Sequence, residues 1–262
     1  MLSANSGIAE KCLPILAKIL PISLEEMSSV SLMNRIDTKY VSTVDKLLKV
    51  LDEAGIYGYK VLEIEGQRLL GYESAYYDTE DLLMFTAHRN SKLFRKKVRV
   101  RTYKSGSGTY LEIKRKNNHG RTKKKRISIP SEYMLNLHDA PGAEEFLQKY
   151  TEWTLKDLIP ETTTDFDRIT IVNPEMTERV TIDLNLHFYN FRSGKSADLG
   201  PLVIYEVKQG GQKRSAFKDI MLKHRIFPFK ISKYCIAVSL TDPSARIGRF
   251  KKKIRHIRKL TS

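Results

Sequence analysis

The chain has 262 residues, of which 41% are hydrophobic, and its 46 Lys and Arg residues outnumber 30 Asp and Glu residues, giving a formal net charge of +16. This apolar content excludes wholesale disorder, and the charge favours anionic partners such as nucleic acid, phosphorylated molecules or an anionic membrane surface. Cys12 and Cys235 lie far apart in no metal-ligand spacing, so we expect neither disulfides nor zinc, and a cytoplasmic location is the default.

The N-terminal segment 1–30 is predicted to be a helical extension. Within it, Ser23 and Glu26 have the spacing of a capping box, in which each side chain satisfies a backbone N–H group of the other residue. The apolar stretch 12–22 is short and is interrupted by two prolines and a lysine. It therefore predicts neither a signal peptide nor a membrane span.

From residue 34 onward, apolar and polar residues alternate with a period of two, which predicts half-buried strands. In the clearest example, residues 180–188, the even-numbered apolar residues are predicted to share one face. Short turns at 105–108 and 117–120 predict that their flanking strands pair antiparallel. The predicted strands are 34–42, 70–78, 95–104, 109–115, 123–129, 165–173, 179–188, 202–208 and 233–240.

Helical periodicity appears in three connecting segments, 43–55 with Gly55 as its C-cap, 143–158 and 213–226. Together these elements predict an α+β fold, a closed antiparallel β-barrel of about eight or nine strands with helices packed outside. No repeat or linker divides the barrel, so we expect one domain between the extension and the tail. The predicted divisions are 1–30, 31–242 and a basic C-terminal helix or tail at 243–262.

The polar faces of the predicted strands carry far more cations than carboxylates. A solvent-exposed surface would explain one such cationic face. Exposed faces usually mix positive and negative residues, however, so the recurrence of a cationic face on seven or eight strands favours a charged interior. Burying that charge without anions or water would be prohibitive, which predicts a site for a polyanion. With Lys97 left aside, the faces hold eleven cations and four carboxylates, namely Arg35, Lys39, Arg99, Arg101, Lys114, Lys124, Arg126, Arg168, Arg179, Lys208 and Lys233, and Asp37, Glu112, Asp183 and Glu206.

At these residues, over about 30–242, the sequence resembles the VTC domain family of polyphosphate-synthesising proteins, which belongs to the triphosphate tunnel metalloenzymes together with the CYTH proteins. The order and spacing of several short motifs carry the resemblance. They are Asn34-Arg-Ile-Asp-Thr-Lys39-Tyr40, Tyr76-Tyr77-Asp78-Thr79, Arg99-Val-Arg101-Thr-Tyr103, Glu112-Ile-Lys114, Lys124-Lys-Arg126, Arg168, Arg179-Val-Thr-Ile-Asp183, Tyr205-Glu206-Val-Lys208 and Ser232-Lys233-Tyr234.

The resemblance implies a tunnel that grips a nucleoside triphosphate, with Glu206 binding Mn²⁺ or Mg²⁺ and the Ser232 hydroxyl adding a contact. Further metal candidates are Asp37, Glu112 and Asp183, each of which could instead form a salt bridge. The triphosphate would be gripped by Lys39, Arg99, Arg101, Lys114, Lys124, Arg168, Arg179 and Lys233. The polar faces add the substrate-binding candidates Arg35, Arg126 and Lys208.

One departure concerns the Glu-x-Glu-x-Lys strand that opens the wider superfamily, because Arg35 replaces its first acidic residue. This favours a polymerase that extends polyphosphate from ATP over two-metal hydrolysis. A triphosphatase stays open as an alternative, and so does a non-catalytic module that binds polyphosphate or nucleic acid. No nucleic-acid partner is expected, whereas the basic segment 249–259 could dock on a membrane-protein partner.

Overall fold

The structure, a computed structural model, describes residues 6–28, 35–106, 108–118, 122–211 and 214–261. Asn34, Ser107 and residues 119–120, which the sequence reading used, fall outside these ranges, as does the predicted boundary at residue 30. The helices are α1 (Ser6–Lys18), α2 (Leu24–Ser28), α3 (Val44–Ile56), α4 (Leu83–Arg89), α5 (Ala143–Tyr150), α6 (Ala216–Lys223), α7 (Lys233–Thr241) and α8 (Lys251–Thr261). The strands are β1 (Pro21–Ile22), β2 (Arg35–Thr43), β3 (Lys60–Leu62), β4 (Leu70–Asp78), β5 (Arg95–Tyr103), β6 (Thr109–Lys116), β7 (Thr122–Ile129), β8 (Ile159–Val172), β9 (Glu178–Asn190), β10 (Ser196–Asp198) and β11 (Leu202–Gly210).

Eight long strands form one strongly curled antiparallel half-barrel in the order β2-β11-β9-β8-β4-β5-β6-β7. The predicted α+β fold with an antiparallel barrel-like sheet and outer helices is thereby confirmed. In the described ranges, no ladder joins the two end strands, β2 and β7. None of the helices in those ranges has the length and apolar composition needed to cross a bilayer.

The strand registers place the predicted polar faces on a single concave surface. Side chains directly opposite each other in paired strands point to the same side of the sheet. Lys39 lies opposite Glu206, and Arg99 lies opposite both Glu112 and Tyr76. The same relation continues around the sheet, so the cationic residues of successive strands face one interior.

The convex surface is apolar and is covered in two places. Near β9 and β11, buried residues such as Ile182 and Val207 pack against α1, α3 and α6. Near β5 and β6, residues such as Val98 and Leu111 pack against α5 and the turns around it. Amphipathic helices therefore bury the outside of the sheet, and its charged side is left to line the inside.

The prediction of a ninth strand at 233–240 is wrong, because these residues form the helix α7. Ser232 caps the helix, and its hydroxyl accepts a hydrogen bond from the Cys235 N–H at 3.4 Å. Almost every residue of α7 is buried, since the helix lies inside the curl of the sheet against β8 and β9. A short apolar run that is buried on all sides shows no helical periodicity, so the sequence could not separate it from a strand.

The single face predicted for residues 180–188 is also wrong. Asn185 has a left-handed backbone, with φ of +54°, at a bulge in the pairing of β9 with β8. The bulge moves Leu186 and Phe188 into the interior cluster with α7, whereas Ile182 packs on the convex side.

Helix boundaries differ from the predictions at three places. Gly55 lies inside α3 rather than capping it, and the helix is followed by Gly58 in a left-handed conformation. Helix α5 ends at Tyr150, ahead of a separate 3₁₀ turn at Leu155–Asp157, and α6 covers only the middle of its predicted range. The capping box of Ser23 and Glu26 is confirmed, with both hydrogen bonds present at 2.8 and 3.1 Å.

Candidate functional site

The concave surface of the sheet and the first turn of α7 bring the predicted site residues together. We call this set of cations the basic interior. It consists of Arg35, Lys39, Lys97, Arg99, Arg101, Lys114, Lys124, Arg126, Arg168, Arg179, Lys208 and Lys233.

Glu112 is buried between two of these cations. The Arg99 guanidinium donates two hydrogen bonds to its Oε2, one of them from Nε at 2.7 Å, and Lys124 Nζ lies 2.7 Å from Oε1. Burial alone would raise the pKa of Glu112, but the surrounding charges outweigh it and hold the pKa well below its usual range. Glu112 therefore stays ionised and fixes the orientation of Arg99.

Asp183 is held in the same way on the opposite wall. Arg168 donates to both carboxylate oxygens, at 2.6 and 2.9 Å, and Lys233 Nζ lies 2.6 Å from Oδ2. These two cations overcome the effect of burial and keep the pKa of Asp183 well below normal. Since both oxygens are engaged, Asp183 is better suited to orienting Arg168 than to binding a metal.

Glu206 is the carboxylate with the loosest partners in the interior. Its oxygens lie 3.1 Å from Lys208 Nζ and 3.7 Å from Lys39 Nζ, and its side chain is 23% exposed. Burial alone would raise the pKa of Glu206, but the positive charges of Lys39 and Lys208 have the larger effect and hold the pKa well below normal, so Glu206 is ionised. The buried Thr181 hydroxyl, which has no hydrogen-bond partner, belongs to the residue directly opposite Glu206 on β9.

One carboxylate beside a free hydroxyl fits Mg²⁺ or Mn²⁺, because such ions commonly take one or two protein carboxylates and complete their shell with water and phosphate oxygens. The described residues contain no group of three or more acidic, His or Cys side chains that could form an all-protein cage. Asp37 lies opposite Lys208 toward the exposed end of β2 and is already paired with Arg35 at 3.1 Å. Glu206 is therefore the candidate metal ligand that the geometry favours.

Five cations of the interior have no carboxylate within ion-pair distance in the described ranges, namely Arg101, Lys114 and Arg179, together with Lys97, which donates to Ser232, and Arg126, which is exposed. Arg101 is 6% exposed, and burial together with the charges of neighbouring arginines lowers its pKa to about 10, which still leaves it charged at neutral pH. The charge of Arg99, followed by burial, lowers the pKa of Lys114 well below normal. Arg179 Nε is buried without any hydrogen-bond partner. A bound anion would compensate the charges of Arg101, Lys114 and Arg179.

The first turn of α7 projects into the middle of this charge. Lys97 Nζ donates to the Ser232 hydroxyl at 2.6 Å, and Lys39 Nζ donates to the Ile231 carbonyl at 3.3 Å. Lys97 was not among the predicted site residues, although the alternation of β5 places it on the same face as Arg99. Ser232 and Lys233 reach the site from a helix, and no strand pattern could have predicted that.

Aromatic side chains support the arginines from behind. Tyr72 and Phe166 stack 5.4 Å apart, and the guanidinium groups of Arg101 and Arg168 lie 4.9 to 5.6 Å from their ring centres. The Ser74 hydroxyl accepts from Arg101 Nε at 3.1 Å. These contacts hold the guanidinium groups in place without neutralising them, which suits repeated binding of phosphate oxygens.

Comparison with known sequences identifies the group to which this arrangement belongs. The profile of the VTC domain matches residues 34–241. The chain belongs to the VTC domain family. The matched range contains the whole basic interior, α7 and Glu206, whereas α1 and α8 lie outside it. No curated protein matches this VTC domain.

Several solved structures resemble this VTC domain at low sequence identity. An adenylyl cyclase candidate from Hippeastrum, described as having a dominant triphosphatase activity, has a TM-score of 0.51 and 12% identity, covering 79% of this chain and 96% of its own. An adenylate cyclase candidate from Bacillus halodurans has a TM-score of 0.48 and 14% identity over 84% and 100% of the two chains. A third, from Vibrio parahaemolyticus, has a TM-score of 0.44 and 12% identity over 78% and 97%. At this identity, the Hippeastrum structure supports a shared fold only.

Proposed function

We propose that this VTC domain is a metal-dependent polyphosphate polymerase, which transfers the γ-phosphate of ATP to a growing polyphosphate chain within the basic interior. The observation that carries the proposal is a set of buried and half-buried cations without carboxylate partners, among them Arg101, Lys114 and Arg179. Unpaired buried charge is costly, so a site built this way is suited to an anion with several charges. The family resemblance of the motifs supports phosphate polymer as that anion.

In the proposed reaction, an oxygen of the terminal phosphate of the chain attacks the γ-phosphorus of ATP. The bond between that phosphorus and the β–γ bridging oxygen breaks, and ADP leaves. Phosphoryl transfer of this kind depends on alignment and charge neutralisation and needs no covalent intermediate on the protein. Arg99 and Arg168 are already oriented by Glu112 and Asp183, so they can meet phosphate oxygens without reorganisation.

Glu206 would hold the metal, with the Thr181 hydroxyl beside it. A bound divalent ion neutralises phosphate oxygens and helps to align them. Lys39 and Lys208, which lie near Glu206, would then be released to contact phosphate. We keep a cytoplasmic location and a membrane-protein partner as parts of the same proposal.

Hydrolysis of triphosphate is the second candidate function. The Hippeastrum protein shares the fold and is described as a triphosphatase, and the same cations could hold a triphosphate for attack by water. The two reactions differ in the attacking oxygen alone, so the product distinguishes them.

The test is to incubate the purified protein with ATP and Mn²⁺ and to separate the products by length. We expect ADP together with phosphate polymers that lengthen with time. Glu206→Gln should abolish both products, whereas Arg115→Ala should leave them unchanged, because Arg115 lies on the exposed outer side of β6. Formation of ADP and orthophosphate alone would replace the polymerase proposal with hydrolysis.

A further inference from the structure

Helix α8 presents a cationic surface outside the range matched by the family. Ile254 and Ile257 are buried against the body of the protein, and the helix contains no acidic residue. Its apolar side is therefore already covered, and five of its six exposed side chains are lysine or arginine. The exposed residues are Lys251, Lys252, Arg255, His256, Arg258 and Lys259.

None of the five lysines and arginines in this set forms an ion pair within the part of the chain that the structure describes. Lys251, Arg255 and Lys259 follow one another at a spacing of four residues, so they repel one another along one side of the helix. The helix tolerates this repulsion because packing of its isoleucines stabilises it. A bound anion would remove the cost.

The chain segment that enters α7 connects this surface to the basic interior. The Phe229 N–H donates to the Lys39 carbonyl at 2.6 Å, so the segment runs along the edge of β2 toward Ser232. The Phe229 ring stacks on His256 of α8, with ring centres 5.0 Å apart and planes at 30°. Two residues, Lys230 and Ile231, therefore separate Ser232, in the candidate site, from Phe229, which contacts α8 directly.

Further cations occupy the space between the two regions. Arg95 and Lys116 are opposite each other at the ends of β5 and β6, on the concave face, and Lys230 is exposed on the connecting segment. Burial lowers the pKa of both Lys116 and Lys253, and the nearby charges of Arg95 and Lys230 lower both values further. Positive charge is thus continuous from Lys97 to α8.

We propose that the exposed face of α8, together with Arg95, Lys116 and Lys230, is a binding track for linear polyphosphate that continues from the basic interior. This inference rests on the proposed function, because α8 would bind the segment of the same polyphosphate chain that extends beyond the basic interior. A ligand shared by both regions must be narrow, flexible and charged along its whole length, as polyphosphate is. Among the described residues of α8, no Phe, Tyr, Trp or large aliphatic side chain is exposed for insertion into lipid or stacking on bases.

The test compares binding of tripolyphosphate and long-chain polyphosphate to the full chain without ATP. The variant K251Q/K252Q/R255Q/R258Q removes four charges from the track and no residue of the basic interior. We expect its affinity for long-chain polyphosphate to fall about tenfold, since exposed charge contacts are individually weak. The salt dependence of binding should weaken as well, because fewer counterions are released. Affinity for tripolyphosphate, which is short enough to occupy the interior alone, should not change.

A matched control, K11Q/K18Q/K49Q/K156Q, removes four exposed charges from other surfaces and should bind both ligands as the wild type does. Equal weakening for both ligands in the α8 variant would overturn the track, because α8 would then act on the interior or on folding. Unchanged long-chain binding would also overturn it. So would a loss confined to duplex DNA or to anionic phosphatidylserine vesicles, which would assign the surface to another partner. Failure of the wild type to make polymer from ATP would overturn the polymerase proposal independently of this binding result.

Discussion

Glu112 and Asp183 show how single residues organise the site. Each carboxylate lies between an arginine and a lysine, so each fixes a guanidinium group while cancelling only part of the local charge. The sequence showed these residues on a polar face but left open whether they bind metal or arginine. That choice depends on the register between neighbouring strands and, for Asp183, on Lys233 of α7, and alternation along a single strand reveals neither.

Lys114 shows the opposite case, a cation that the unliganded protein tolerates at a cost. In Lys114→Met, the loss of a half-buried charge beside Arg99 should stabilise the free protein by roughly 1 kcal/mol, since removing a poorly compensated charge in favour of an apolar side chain is often stabilising. The same change should nearly abolish turnover. Denaturant unfolding and product assays check the two effects.

Arg115→Met is the matched control, because its side chain is on the exposed side of the same strand. It should change stability by less than about 0.5 kcal/mol and leave turnover intact. Loss of stability in Lys114→Met, or retained turnover, would contradict the assignment of Lys114 to the anion site.

At the scale of elements, strands were predictable and the interior helix was not. Eight of nine predicted strands are present, because strands with one apolar and one charged face produce a clear period of two. Helix α7 is buried on nearly all sides, so its sequence carries no period to read. The prediction that the apolar residues of β9 share one face was wrong beyond Asn185 for a related reason, since a bulge is set by local backbone conformation rather than by the hydrophobic pattern.

The Asn185 bulge can be tested directly. Asn185→Val should destabilise the protein by about 2 kcal/mol, because a β-branched residue tolerates the left-handed conformation poorly and the hydrogen bond from Nδ2 to Asp167 is lost. Asn185→Gly loses the same hydrogen bond but fits the conformation, so it should cost less than half as much. Equal losses in denaturant unfolding would show that the hydrogen bond, and not the backbone, matters.

At the scale of the whole molecule, the close spacing of cations links anion binding to the uptake of protons by lysine side chains. Burial and neighbouring positive charge lower the pKa of Lys97, Lys114, Lys208 and Lys233 in the free protein. A bound polyphosphate raises these pKa values again. Binding should therefore take up protons, and affinity should fall as pH rises from the lowered pKa values toward the ordinary lysine value of about 10.4. Calorimetry in buffers of different ionisation enthalpy measures this uptake.

Stability of the free protein should change in the other direction over the same pH range. The unfolded chain binds more protons than the folded one there, because its lysines have ordinary pKa values, so the free energy of unfolding should rise with pH. The rise ends near the ordinary tyrosine pKa of about 10, since burial raises the pKa of Tyr40, Tyr59, Tyr77 and Tyr205 and the folded chain then keeps protons that the unfolded chain loses. Proton release on binding, or stability that falls with pH in this range, would contradict the role of these lysines.

The last strand of the sheet, β7, pairs only with β6 in the described ranges, so one row of its backbone groups is open to another molecule. Such an edge could join the edge of a second copy and begin aggregation. Its sequence places Lys123, Lys124, Lys125 and Arg126 in succession, and all four are exposed. Mutual repulsion of these edges should oppose such association, and this protection should weaken wherever salt screens the charge.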